Sequence, residues 1–309
     1  MKDAYLQMAI PQEKIEQGAK RLYTCLESAL AEKKGCCIGR NGSTELTTLF
    51  YFDRYRILNT QIGFNLQRYS GIFPPNVPVV DEWIQIYKQS LQQIDEEPIV
   101  AGWFEGLAPY EKVLLEDLCP KAAHIPLRSL EPYYVAPSLR WTNLLAGKRV
   151  AVVSSFANTI ASQVTRARDI WGEDSESLLP STTTWVPIQT GFPPTIAKGK
   201  LEWPEGCSTW KEAVDWLEQQ VLAAKADVCL IGCGGLGMIL GTRLKQKGIP
   251  CVVLGGAIQV LFGIKGQRWQ AHSVIGNFWN DAWVWPSVSE TPGGSGKIEG
   301  GCYWNPTKE

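Results

Sequence analysis

Residues 226–248, ADVCLIGCGGLGMILGTRLKQKG, set Gly232, Gly234 and Gly237 in a G-x-G-x-x-G, with Gly235 inside it. A hydrophobic run precedes these glycines and an amphipathic segment follows. At a strand-to-helix turn this spacing aims backbone N–H groups at the positive end of a helix, where phosphate is favoured. A dinucleotide site asks for more, an acidic residue roughly 20 positions on that binds the ribose. The next hydrophobic run, PCVVLGGAIQ, ends instead in Gly255 and Gly256. That departure argues against an NAD(P)-dependent oxidoreductase. A packing turn and a site for another phosphate-bearing ligand both remain. Ligands of open α/β sheets bind at the carboxyl ends of strands, so two glycine turns side by side there would share one ligand.

Three further stretches carry groups that could act on such a ligand. IGRNGSTEL (38–46) sends Arg40 off the end of a buried strand, with Gly42 for a tight turn, Ser43 as a plausible N-cap and Glu45 in the first helical turn. Arg40 suits a phosphate. Glu45 is either a helix-start carboxylate favoured by the dipole or a carboxylate for a metal, a sugar hydroxyl or an acceptor. VVSSFANTIASQ (152–163) brings Ser154, Ser155 and Asn158 to another strand-to-helix turn, as ligand contacts or as a simple cap. FGIKGQRW (262–269) holds Lys265 and Arg268 among glycines beside Trp269, a loop suited to a diphosphate or merely solvated. The segment KIEGGCYW (297–304) either folds over the site or docks on the core.

The elements that must position these groups follow from hydrophobic period. Helices are expected over 11–34, from Ser43 onward, over 79–95, 109–118, after Phe156, over 208–225 and over 236–247. Strands are expected at 36–40, 98–104, 123–127, 148–156, 183–190, 227–233 and 250–256. Residues 59–78 read as loop, and 191–207 as a long loop, a candidate lid. The strand runs are continuously apolar, as in a parallel sheet covered on both faces. The expected fold class is therefore α/β, a Rossmann-like, mostly parallel sheet with helices on both faces. The expected organisation is an N-terminal helix (1–34), one α/β domain (35–304) with any division falling near 128–147, and a short tail (305–309).

Composition narrows the partners. A formal net charge of −1, with no basic run, gives no electrostatic case for nucleic acid. No apolar run approaches the ~20 residues of a membrane span. The N-terminus lacks the apolar core of a signal peptide, and the nine cysteines lack metal spacing, so a reducing cytoplasm is expected. Two histidines and the absence of a G-x-S-x-G elbow argue against a hydrolase triad. Thirteen tryptophans suit packing and also stacking on sugars or bases.

Taken in order, IGRNGSTEL, VVSSFANTI, LIGCGGLGMIL, LGGAIQVLFGIKGQRW and EGGCYW resemble a bacterial family of predicted glycosyltransferases with the GT-D type of fold, over roughly residues 35–304. The family's first turn is similar to R-F-G-D-G-E, whose Asp and Glu bind a divalent metal and the nucleotide-sugar diphosphate. Arg40, Gly42 and Glu45 match that turn, and Ser43 stands where the Asp would be. The resemblance implies a nucleotide-sugar donor, a glycan or lipid-linked acceptor, and Mn or Mg on Glu45. It also implies roles in the site for Arg40, Glu45 and the loop glycines. A non-catalytic nucleotide- or glycan-binding protein is the alternative from another class.

Overall fold

The computed structural model describes residues 10–305. Its strands are β1 (Cys37–Arg40), β2 (Pro98–Val100), β3 (Ala123–Ile125), β4 (Arg149–Ser154), β5 (Thr184–Gln189), β6 (Val228–Gly232) and β7 (Cys251–Val253). They join in one sheet of order β3-β2-β1-β7-β6-β4-β5, parallel throughout. Strands from either side of residues 128–147 share this sheet; the stretch itself holds short helical turns.

The main helices are α1 (Gln12–Glu32), α2 (Ser43–Tyr55), α3 (Thr60–Ser70), α4 (Val77–Gln92), α5 (Ala108–Leu118), α6 (Ala157–Gln163), α7 (Trp210–Ala223), α8 (Gly237–Gln246) and α9 (Ala257–Leu261). They cover both faces, and the central strands show why. Successive side chains point to opposite faces of a strand. Cys229 and Ile231 enter one core with Leu66, Trp83, Tyr87, Trp210 and Leu240, while Leu230 between them enters the other with Leu22, Trp141, Ile160 and Phe262. Both faces are apolar, so the strands read as continuous hydrophobic runs.

Residues 59–78, expected to be loop, contain α3. Asn59 caps it by accepting the Ile62 N–H at 3.0 Å, and Gly63, Leu66, Gln67 and Ser70 form its buried face. Only Leu66 of those four is a large apolar residue, so hydrophobic period was a poor guide here. At α2 the N-cap is Gly42, not Ser43. Glu45 thereby becomes the third helical residue, the position from which a glutamate can reach back over the helix start.

From β1 the chain steps out to β2 and β3, and the later strands fill the other side of β1. Open α/β sheets bind ligands outside the carboxyl ends of strands where the strand order changes direction.

Candidate functional site

One cavity of about 520 Å³ lies at that edge, within the usual range of small-ligand sites. The turn after β1 contributes Arg40, Gly42, Ser43 and Glu45; the turn after β6 contributes Gly232 and Gly234. Gly255 and Gly256 come from the turn after β7, Ser155 from the turn after β4, and Arg268 from the loop beyond α9. Gly235 sits just behind the wall, its carbonyl accepting the Trp83 indole N–H at 3.2 Å.

Arg40 is held from behind by a buried polar network. Asn41, next to it, donates to Glu111 at 3.1 Å and accepts from the Tyr87 hydroxyl at 2.8 Å. Glu111 also takes the Gly102 N–H at 2.8 Å. The Arg40 guanidinium lies 4.3 Å from the Trp103 ring centre and rests against Gly255. Burial pulls its pKa down, opposed by Tyr303, Glu45 and Glu131, although a guanidinium stays charged in any protein setting. Arg268 rests against the neighbouring Gly256 and lies 4.0 Å from the Tyr303 ring centre. Burial works against its charge, but Tyr303, Glu299 and Cys302 hold its pKa above the ordinary value. It pairs with Glu299.

Glu45 folds back over the start of α2. A side chain at position 42 would meet its carboxylate, so a larger residue there would displace Glu45 from this position. Burial raises the Glu45 pKa, against the pull of its own backbone N–H and of Arg40. Gly234 adopts a positive φ of 59°, and an added Cβ would come within 2.8 Å of the Ser70 carbonyl oxygen. The glycine thus lets the β6 turn press against the end of α3.

The turn after β4 is different. Ser154 is fully buried, its hydroxyl accepting the Phe156 N–H at 3.3 Å. The N–H groups of Asn158 and Thr159, at the start of α6, both donate to Glu290, at 2.7 and 3.1 Å. The Thr159 and Ser287 hydroxyls complete the carboxylate's shell. The chain fills this helix start with its own anion, and Ser154 and Asn158, expected as ligand contacts, lie outside the cavity lining. Ser155 does, its hydroxyl 2.8 Å from that of Thr190. Lys265 also lies outside the cavity lining, with its ammonium 5.6 Å from the Trp279 ring centre.

The candidate lid, 191–207, is hydrogen-bonded to residues 293 and 294. It holds a short helix, Pro194–Ala197, whose carbonyls at Ile196 and Ala197 accept N–H groups of Gly294 and Gly293 at 2.8 and 3.2 Å. Gly191, Phe192, Pro193, Ile196 and Trp203 form one wall of the cavity.

Sequence reasoning missed Glu131 and Arg128, which both line the cavity from a stretch of short helical turns. Glu131 is buried, and burial pushes its carboxyl pKa up to about 7 against the pull of Arg40 and Arg128. Neither arginine closes an ion pair on it: among the described residues, the arginines in ion pairs are Arg140, Arg166, Arg243 and Arg268. Trp103 and Trp203 also line this space, and their indole N–H groups are buried without a partner. A buried unpaired donor is costly unless something accepts from it. His272, in another wall, is held below its ordinary pKa by burial, and its Nδ1 accepts the Val274 and Ile275 N–H groups at 3.2 Å.

The donor set does not fit a protein-held divalent cation. A site built from protein groups alone would need several carboxylate or other oxygen ligands. Ser43 gives a hydroxyl where the resembled turn has a carboxylate, and no three His, Cys, Asp or Glu among the described residues cluster as metal ligands.

No family model matches the chain, and no curated protein matches it. A solved structure titled as the selenomethionine-substituted structure of domain of unknown function 1792 aligns with it at 12% identity. That alignment covers 79% of this chain and 82% of the other, with a TM-score of 0.42.

Proposed function

We propose that this chain is a glycosyltransferase that binds a nucleotide-sugar donor in the cavity and passes the sugar to a glycan or lipid-linked hydroxyl. The observation that carries this reading is the meeting of two guanidiniums, Arg40 and Arg268, on one glycine turn, with the buried carboxylates Glu45 and Glu131 lining the same space. When the bond from the sugar C1 to the donor phosphate breaks, negative charge gathers on the departing diphosphate. Fixed cations at that place stabilise the transition state more than the ground state. The half-buried Arg40 and the more exposed Arg268, which pairs with Glu299, supply them. The order of the five matched sequence stretches supports the same reading.

Glu131 is suited to take the acceptor proton. A base works best with a pKa near the operating pH, and burial brings Glu131 there. Glu45, anchored over the start of α2, orients the transferred sugar through its hydroxyls.

The test is a thermal-shift screen with UDP, GDP, CMP and dTDP, each with and without manganese, followed by turnover of the stabilising donor. A nucleoside diphosphate is expected to stabilise the protein. Glu45→Gln is expected to abolish turnover while keeping that stabilisation. Stabilisation by NADH alone would overturn the reading in favour of an oxidoreductase. Nucleotide binding without turnover of any donor by the unsubstituted protein would favour a binding module.

A further inference from the structure

We propose that the exposed face of the α2–α3 hairpin docks the protein on an anionic lipid surface. From residue 54 through residue 80 the chain carries Arg54, Arg56 and Arg68 and neither Asp nor Glu. All three arginines are exposed, and none belongs to the ion pairs of the described residues. The same hairpin exposes Tyr51 by 42%, Tyr55 by 56%, Ile57 by 42% and Phe64 by 50%. The aromatic part is braced. Tyr51 and Tyr55 have ring centres 6.0 Å apart, and Phe50 contacts both at 5.7 Å while reaching Tyr110 at 5.3 Å.

Cations beside exposed aromatic and aliphatic side chains match the headgroup layer of a membrane. Tyrosine sits at the boundary between headgroup and acyl chain. Arginine meets lipid phosphate, and its stem lies along apolar surface. Two other occupants fit less well. A second copy in a two-fold interface would bring the arginine patch against itself. Nucleic acid makes no use of Ile57, and three cations give it a small footprint. Among the described residues no helix is long and apolar enough to cross a membrane, so the attachment would be peripheral. Arg68 at the far end of α3 lines the cavity, as do Gln67, Tyr69 and Ser70. Docking by this face would therefore set the cavity beside the lipid. It stands independently of the chemistry inside the cavity.

The test is co-sedimentation of the full chain with phosphatidylcholine vesicles, with and without phosphatidylglycerol. Binding is expected only to the anionic vesicles, and high salt should weaken it. Each arginine near such a surface tightens binding about fivefold, so Arg54→Glu with Arg56→Glu should lower it about 25-fold or more. Tyr55→Ser should lower it further. Melting temperatures check that the variants remain folded, and nucleotide stabilisation tests the cavity separately. Binding to neither vesicle type would overturn the proposal. So would equal binding by the variants, or RNA capture or self-association through the same arginines in place of lipid binding.

Discussion

The turns after β4 and β6 leave adjacent strands, with Ser154 opposite Gly232, and both run into helical structure at the same sheet edge. One is closed from within: Glu290, 131 residues from Thr159, takes the N–H groups at the start of α6. The other is glycine-built and opens on the cavity. A strand-to-helix turn offers an anion site by virtue of its backbone alone. Whether that site reaches solvent depends on what the rest of the chain places there, and these two turns differ in just that respect.

The sharpest way to break the contrast is Glu290→Ala. It leaves the Asn158 and Thr159 N–H groups and the buried Thr159 hydroxyl without their acceptor, and should destabilise the protein by about 2–3 kcal/mol. Urea unfolding measures this, and a loss under about 1 kcal/mol would mean that water fills the site.

Similar in size is a pH effect at Glu131. Its carboxyl is raised to about 7 by burial, so between its ordinary value and about 7 the folded state binds the proton more tightly than the unfolded state. Stability attributable to this group is therefore full at low pH and falls as pH rises through that window, by about 3 kcal/mol in all. Glu131→Gln should flatten that part of the stability-against-pH curve. An unchanged slope would show that the carboxyl ionises freely.

Arg40→Met should weaken nucleoside diphosphate binding by about 2 kcal/mol, roughly 30-fold, through loss of a charged hydrogen-bonding group. Titration calorimetry reads this, and the same substitution in a closed site would register only as stability. Smallest is Gly234→Ala. A positive φ of 59° and the nearby Ser70 carbonyl should together cost about 1–2 kcal/mol of stability. A neutral result would mean the β6 turn can withdraw from α3.

Sequence pattern revealed the sheet well because its strands are buried on both faces, and an apolar run such as VCLIG has few other stable settings. It also drew attention to Arg40, Gly234 and Gly255, whose neighbours in sequence form the turns. It failed wherever the partner is remote. Nothing near Asn158 announces Glu290. Glu131 lies in a stretch without helical or strand period, and only the fold brings it to Arg40. The α3 helix escaped notice because its inward face is largely small or polar. Lys265 was chosen for its company of glycines, yet that loop turns Arg268 to the cavity and Lys265 to Trp279.

The packing of Arg268 and Tyr303 against Gly256 has a consequence for assembly. Arg40 and Tyr303, far apart in sequence, wall the same cavity, so a chain in which residues 299–304 are undocked would have an open-sided cleft. Ligand affinity would then depend on the docking of residues 299–304, and a tight-binding nucleotide could serve as a reporter that this segment is in place.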